Sequence, residues 1–129
     1  MLEIQTERAP KAVGPYSQGV KVGNLVFVSG QIPINPDTGK VVGENISAQT
    51  EQVLANLEAV LTEAGASLKQ VVRVDIFLTD LENDFSVVNE LYAKRFNGPV
   101  KPVRQTVEVS KLPLKVNVEM SCIAHLGDA

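Results

Sequence analysis

At 129 residues the chain has the length of one ordinary domain, enough to bury a core without disulfide or metal staples. Apolar residues make up 44% and charged residues 21%, a globular rather than disordered composition. The net charge of −3 argues against nucleic acid as the main partner, because phosphate neutralisation wants a basic excess. With one cysteine, Cys122, an internal disulfide is excluded and a reducing, cytoplasmic setting is expected. No run of about 18 apolar residues offers a membrane span, and the charged start MLEIQTERAPKAVG does not read as a secretory signal.

In chain order, Leu2 to Gln5 could form a short strand, and Ala9 to Gly19, APKAVGPYSQG, reads as a loop. LVFVS, Leu25 to Ser29, is a strand ending at Gly30. The turn chemistry of Pro36-Asp37-Thr38-Gly39 between Ile34 and Val41 predicts a short hairpin. Ser47 to Ala64 is the clearest helix: Ile46, Val53, Leu54, Leu57, Val60, Leu61 and Ala64 share one stripe at helical spacing. Asn45 or Ser47 can cap its start, and Gly65 suits the left-handed position after its end. At 1.5 Å per residue it runs about 27 Å, the width of a sheet.

VVRVDIFLT, Val71 to Thr79, alternates as a strand, with Val72, Val74, Ile76 and Leu78 on one face. A second helix is predicted from Phe85 to Phe96, capped by Asp84 and stopped by Asn97-Gly98-Pro99. Phe85, Val88, Leu91, Tyr92 and Phe96 make its apolar stripe. Strands at Val103 to Val109 and Val116 to His125 complete the chain. No repeat, linker or low-complexity tract divides residues 1–129, so one domain of α/β layers, with both helices on one face of a sheet, is expected.

Assigning the apolar side of each late strand to the helices puts Arg73, Asp75, Arg104, Thr106, Glu108, Asn117, Glu119 and Ser121 on the other face, with Phe77 and Ile123. Such a face is either the solvated side of an antiparallel sheet or a polar site or subunit interface. Parity alone leaves both open.

Four segments in register carry a resemblance over nearly the whole chain: GPYSQG (14–19), SGQIP (29–33), PVRQTVEV (102–109), and Leu112-Pro113 followed by the strand holding Glu119. Together they resemble the RidA family, also called YjgF or L-PSP. The resemblance implies a chorismate-mutase-like α+β fold. Its mixed six-stranded sheet carries two helices on one face, and three copies form a trimeric barrel with clefts between subunits. It further implies hydrolysis of reactive 2-imino acids or their enamine tautomers, such as 2-aminoacrylate and 2-iminobutyrate, to 2-keto acids and ammonia. That is the activity of a 2-iminobutanoate/2-iminopropanoate deaminase, with no cofactor.

The resemblance assigns Arg104 to the substrate carboxylate, where a planar guanidinium can donate two parallel hydrogen bonds. The other reading pairs Arg104 with Glu108 or Glu119. Glu119 would position or activate water and take up a proton, unless it serves an interstrand salt bridge. Thr106 stands where many relatives carry cysteine; its hydroxyl can hold water but cannot do thiol chemistry. Tyr16 would border the cleft or anchor its loop. The backbone of Ser29 and Gly30 would complete the site, since glycine permits close approach. Asn89 would reach the cleft from a neighbouring subunit or stand solvated on its helix. Cys122 has the parity of a core thiol. No metal-ligand spacing or phosphate loop is present. Two other functions stay open: a ligand-binding regulatory or chaperone-like module, and an endoribonuclease that inhibits translation. The latter has one histidine, His125, as its ordinary acid-base group.

Overall fold

The computed structural model describes residues 1–127. Its elements are β1 (Leu2–Ile4), β2 (Gly19–Val22), β3 (Leu25–Gln31), β4 (Ile34–Asn35), β5 (Lys40–Val41), α1 (Ile46–Glu63), β6 (Val71–Leu78), α2 (Leu81–Arg95), β7 (Val103–Glu108) and β8 (Val118–His125). One six-stranded sheet runs β1-β2-β3-β8-β6-β7, and β4-β5 forms the expected small hairpin, pairing Ile34 with Val41. β6 and β7 are parallel, joined by the α2 crossover; the other neighbours in the main sheet are antiparallel.

α1 starts where Asn45 accepts from the backbone N–H of Ser47 (2.7 Å) and Ala48 (3.2 Å). Gly65 takes φ +83°, the left-handed position after the helix end. The stripe of α1 lies over the sheet: Leu54, Leu57 and Leu61 pack into one core with Val26, Val74, Ile76 and Met120, each at most 1% exposed. Burying each such side chain stabilises the fold by about 1.5–3 kcal/mol. Asn56, fully buried, donates to the carbonyls of Ile32 (3.1 Å) and Ile34 (3.0 Å), so α1 also grips the chain after β3.

Several expectations are corrected. Gly19–Val22 is a strand rather than the end of a loop; Gly23, at φ +57°, turns it into β3. α2 begins four residues before Phe85, at Leu81. Its cap is Asp80, which accepts from the Asn83 N–H (3.3 Å), so Asp84 is no cap but lies in the first turn. The polar run Glu82-Asn83-Asp84 hides this turn from a search for apolar periodicity, although acids favour the positive end of the helix dipole. β8 begins at Val118 because residues 113–115 make a short 3₁₀ turn, with Leu114 and Lys115 at positive φ.

The parity of β7 is reversed. Its register pairs Val74 with Arg104 and Ile76 with Thr106, placing both polar residues on the helix side. Glu108 lies there too and accepts from the Leu81 N–H (3.0 Å) at the start of α2. Val103 and Val107 instead share the open face with Phe77 and are 66% and 39% exposed. Val72 is also exposed, because the β6–β8 register shifts between Val71 and Arg73. Asn117 lies before β8, linking Thr79 and the α1 approach through hydrogen bonds to Gln49, Thr79 and Glu44.

Candidate active site

The first group of site residues is built on β7 and α2. Edge position leaves Arg104 half-buried and directs its guanidinium onto α2, 4.8 Å from the centre of the Tyr92 ring and 5.8 Å from that of Phe85. Among the described residues it has no ion pair and its side chain makes no hydrogen bond, so the proposed pairing with Glu108 or Glu119 is absent. Arg104 opens on a cleft of about 260 Å³, lined also by Asn89, Tyr92, Phe96 and Lys101. The α2 wall is fixed to α1 by Arg95, which reaches Glu51 (3.1 Å) and Glu58 (3.4 Å). Thr106, two residues along the same face, buries its Oγ1 without a hydrogen-bond partner.

The second group gathers around β3 and β8. A register shift in the β3–β8 ladder between Val28 and Gln31 brings Ser29-Gly30 out of regular pairing. The Glu119 carboxylate lies directly against the α-carbon of Gly30, filling the space a side chain there would need. Glu119 has no ion pair among the described residues, and partial burial raises its carboxyl above the usual glutamate range. Ser29 Oγ donates to the Ser17 carbonyl (2.6 Å), and its N–H donates to the Gln18 carbonyl (2.9 Å). These bonds dock onto β3 the loop that carries the half-exposed Tyr16.

That loop is held from below by the buried Gln18 side chain. Its amide donates to the carbonyls of Thr6 (3.0 Å), Ala9 (3.2 Å) and Pro10 (2.8 Å), and its oxygen accepts from the Thr6 N–H (2.7 Å). The GPYSQG motif therefore joins an exposed aromatic to a fully used structural amide.

The structure thus brings Arg104 and Asn89 together at one cleft, with the buried Thr106 hydroxyl two residues along β7, and separately Gly30 and Glu119 next to Ser29. Tyr16 lies on the loop docked to Ser29, its hydroxyl accepting from the Val13 N–H (3.3 Å). It does not bring the two groups together within one chain. Glu119 pairs with Phe77 on the open face, whereas Arg104 pairs with Val74 on the helix face. The open face carries Phe27, Ile123, Phe77, Val103 and Val107 around the Arg73–Asp75 ion pair (3.0 Å), whose guanidinium lowers the Asp75 carboxyl. Phe85 and Tyr92 are residues that apolar periodicity assigned to the core alone. The sequence signal that could have found them is their spacing: with Asn89 they sit at helical intervals of three and four on the face that meets β7.

A mixed sheet covered on one side by two helices is the chorismate-mutase-like fold; here it carries, among the described residues, an arginine without an acidic partner at one edge and a partly buried carboxylate on its bare side. Residues 6–126 match the family described as Endoribonuclease L-PSP. A RutC family protein of Pyrococcus abyssi is 55% identical over 122 residues, covering 95% of this chain and 94% of that protein. The chloroplastic Reactive Intermediate Deaminase A of Arabidopsis thaliana is 50% identical over 95% of this chain and 65% of its own length. The structure of Escherichia coli TdcF with bound serine superposes with a TM-score of 0.92 at 40% identity, covering 97% of this chain and 98% of that one. The chain belongs to the RidA/YjgF/L-PSP family.

Proposed function

We propose that the protein hydrolyses 2-imino acids and their enamine tautomers to 2-keto acids and ammonia in the cytoplasm, at sites completed between subunits of a homotrimer. The observation that carries this reading is Arg104: a guanidinium with no acidic partner among the described residues, at the mouth of a small cleft. A carboxylate is the anion its planar fork fits, and the two parallel bonds fix the neighbouring C=N carbon. Asn89 offers a neutral hydrogen-bonding group in the same cleft, whereas the Thr106 hydroxyl, two residues along β7, is buried. Serine bound to TdcF has the same head, a carboxylate beside a carbon bearing nitrogen.

Water adds to the C=N carbon while Glu119 accepts its proton. The proton then passes to nitrogen to give a carbinolamine; Glu119 takes the hydroxyl proton and hands it to nitrogen as the C–N bond breaks, so that ammonia leaves and the ketone forms. A carboxyl raised by burial suits both halves of that transfer. Because Arg104 and Glu119 occupy opposite faces of one sheet, the reaction needs Glu119, Gly30, Ser29 and Tyr16 of one copy against Arg104 and Asn89 of another. The apolar residues on the open face support such association.

The test generates 2-iminobutyrate or 2-aminoacrylate in situ with a pyridoxal-phosphate dehydratase and follows keto-acid release above the spontaneous rate. Arg104→Ala and Glu119→Gln are each expected to abolish acceleration. Mixing the two variants under subunit exchange is expected to restore part of it, because some interfaces then hold both intact groups. No acceleration by the wild type, or an unchanged rate in Arg104→Ala, overturns the reading.

A further inference from the structure

Arginines that wait for an anion are commonly oriented by a carboxylate, which also occupies donors and offsets charge. Arg104 has none among the described residues, yet its guanidinium lies over two aromatic rings of α2. The nearer ring, Tyr92, is 7% exposed and is itself stacked on Phe96, with centroids 4.4 Å apart and planes 27° apart. Tyr92 is thus a rigid platform rather than a mobile neighbour. Phe85, 38% exposed, closes from the outer side.

We infer that Tyr92 is a positioning residue for Arg104, its ring holding the guanidinium in place while leaving the in-plane N–H donors unoccupied. A cation is attracted to the face of an aromatic ring, and the attraction grows as water is excluded. The ring consumes no hydrogen bond and carries no neutralising charge. Arg104 therefore keeps its full fork and its full charge for a monoanionic head group, where an acidic partner would have to be displaced. This inference rests on the proposed carboxylate role of Arg104 only for its consequence, not for its geometry.

The ring, not the hydroxyl, carries the effect. The Tyr92 hydroxyl is buried with no hydrogen-bond partner among the described residues, and burial raises its pKa above the ordinary tyrosine value while the Arg104 charge lowers it in part. Phenylalanine at this position supplies the same face without the unpartnered oxygen.

The experiment has a ligand-free arm and a ligand arm. In the first, the arginine Nε–H resonances of the intact protein are recorded by NMR, with Arg104 assigned through Arg104→Lys. The Arg104 signal is expected to lie upfield from ring current in the wild type and in Tyr92→Phe. In Tyr92→Leu it is expected to move most of the way towards the position of solvent-exposed arginines, Phe85 keeping a smaller ring-current effect. Should Tyr92→Leu fail to fold, Phe85→Leu, at an exposed ring, is expected to give a partial shift. In the second arm, binding of 2-ketobutyrate is titrated. Tyr92→Phe is expected to match the wild type, and Tyr92→Leu to bind about tenfold more weakly. An Arg104 resonance unmoved by leucine at either position overturns the inference. So does Tyr92→Phe losing binding as Tyr92→Leu does, because the hydroxyl would then be the acting group. A wild type that shows the upfield signal but binds no keto acid leaves the platform standing and defeats the proposed substrate instead.

Discussion

Replacing Gly30 by alanine tests how Glu119 is placed. A β-carbon at Gly30 would collide with Glu119 Oε2 and lie 3.0 Å from Cδ and 3.3 Å from Cγ, so the whole end of the side chain has to give way. The obstructing atoms are the far end of a flexible chain rather than backbone, and Gly30 is on the surface. The stability cost should therefore be that of an off-rotamer side chain, about 1 kcal/mol. The catalytic cost should be much larger, because restoring ordinary contact moves the carboxylate by about an ångström, a displacement able to lower the rate about 100-fold. Gly30→Ala should consequently melt close to the wild type while losing most of its acceleration of imine hydrolysis in the coupled dehydratase assay. The double variant Gly30→Ala/Glu119→Gln should be no slower than Glu119→Gln alone, since both substitutions act on one carboxylate. Wild-type turnover in Gly30→Ala, or fully additive losses in the double variant, would refute the reasoning.

Glu119 also sets a pH dependence of stability. Its folded carboxyl is raised above the ordinary value of 4.5, so the native state holds this proton more tightly than the unfolded chain. That contribution is fully present below the ordinary value and is lost as pH rises through the raised one. Denaturant titrations should accordingly show Glu119→Gln gaining on the wild type as pH rises through this window; a gap that widens on acidification would reverse the sign. Cys122, 3% exposed, is pushed by burial to about 12, so it should resist iodoacetamide in the native state and react on unfolding, as read by mass spectrometry. Gln18→Ala removes four hydrogen bonds from one buried amide and should cost about 2–3 kcal/mol in urea unfolding, with faster proteolysis of the loop that bears Tyr16.

Helix α1 was the most legible element of the fold, because it follows a stripe whose residues are nearly all buried and whose cap and stop residues stand at its ends. The four motifs disclosed the family and carry the proposed site residues other than Asn89. What hydrophobic pattern could not disclose was the face each one occupies. The rule that the apolar side of a strand meets the helices held for Val74, Ile76 and Leu78 in the sheet interior. It failed at the edge strand, where pairing with β6 turns Val103 and Val107 to the bare side. Arg104 and Glu119 were consequently expected on one surface and stand on two. The collision at Gly30 was equally hidden, since it arises from a register shift between β3 and β8 rather than from local composition.

The crossover from β6 through α2 to β7 has a consequence of its own. Arg104, Asn89, Phe85 and Tyr92 all belong to this continuous stretch, whereas Ser29, Gly30 and Glu119 come from the antiparallel strands on either side of it in the chain, and Tyr16 from the loop before β2. On the proposed reading, the group that grips the acid and the group that delivers water are therefore encoded in separate blocks. Exchanging the block spanning residues 71–108 between relatives should then change substrate preference while leaving Glu119 and its surroundings as they are.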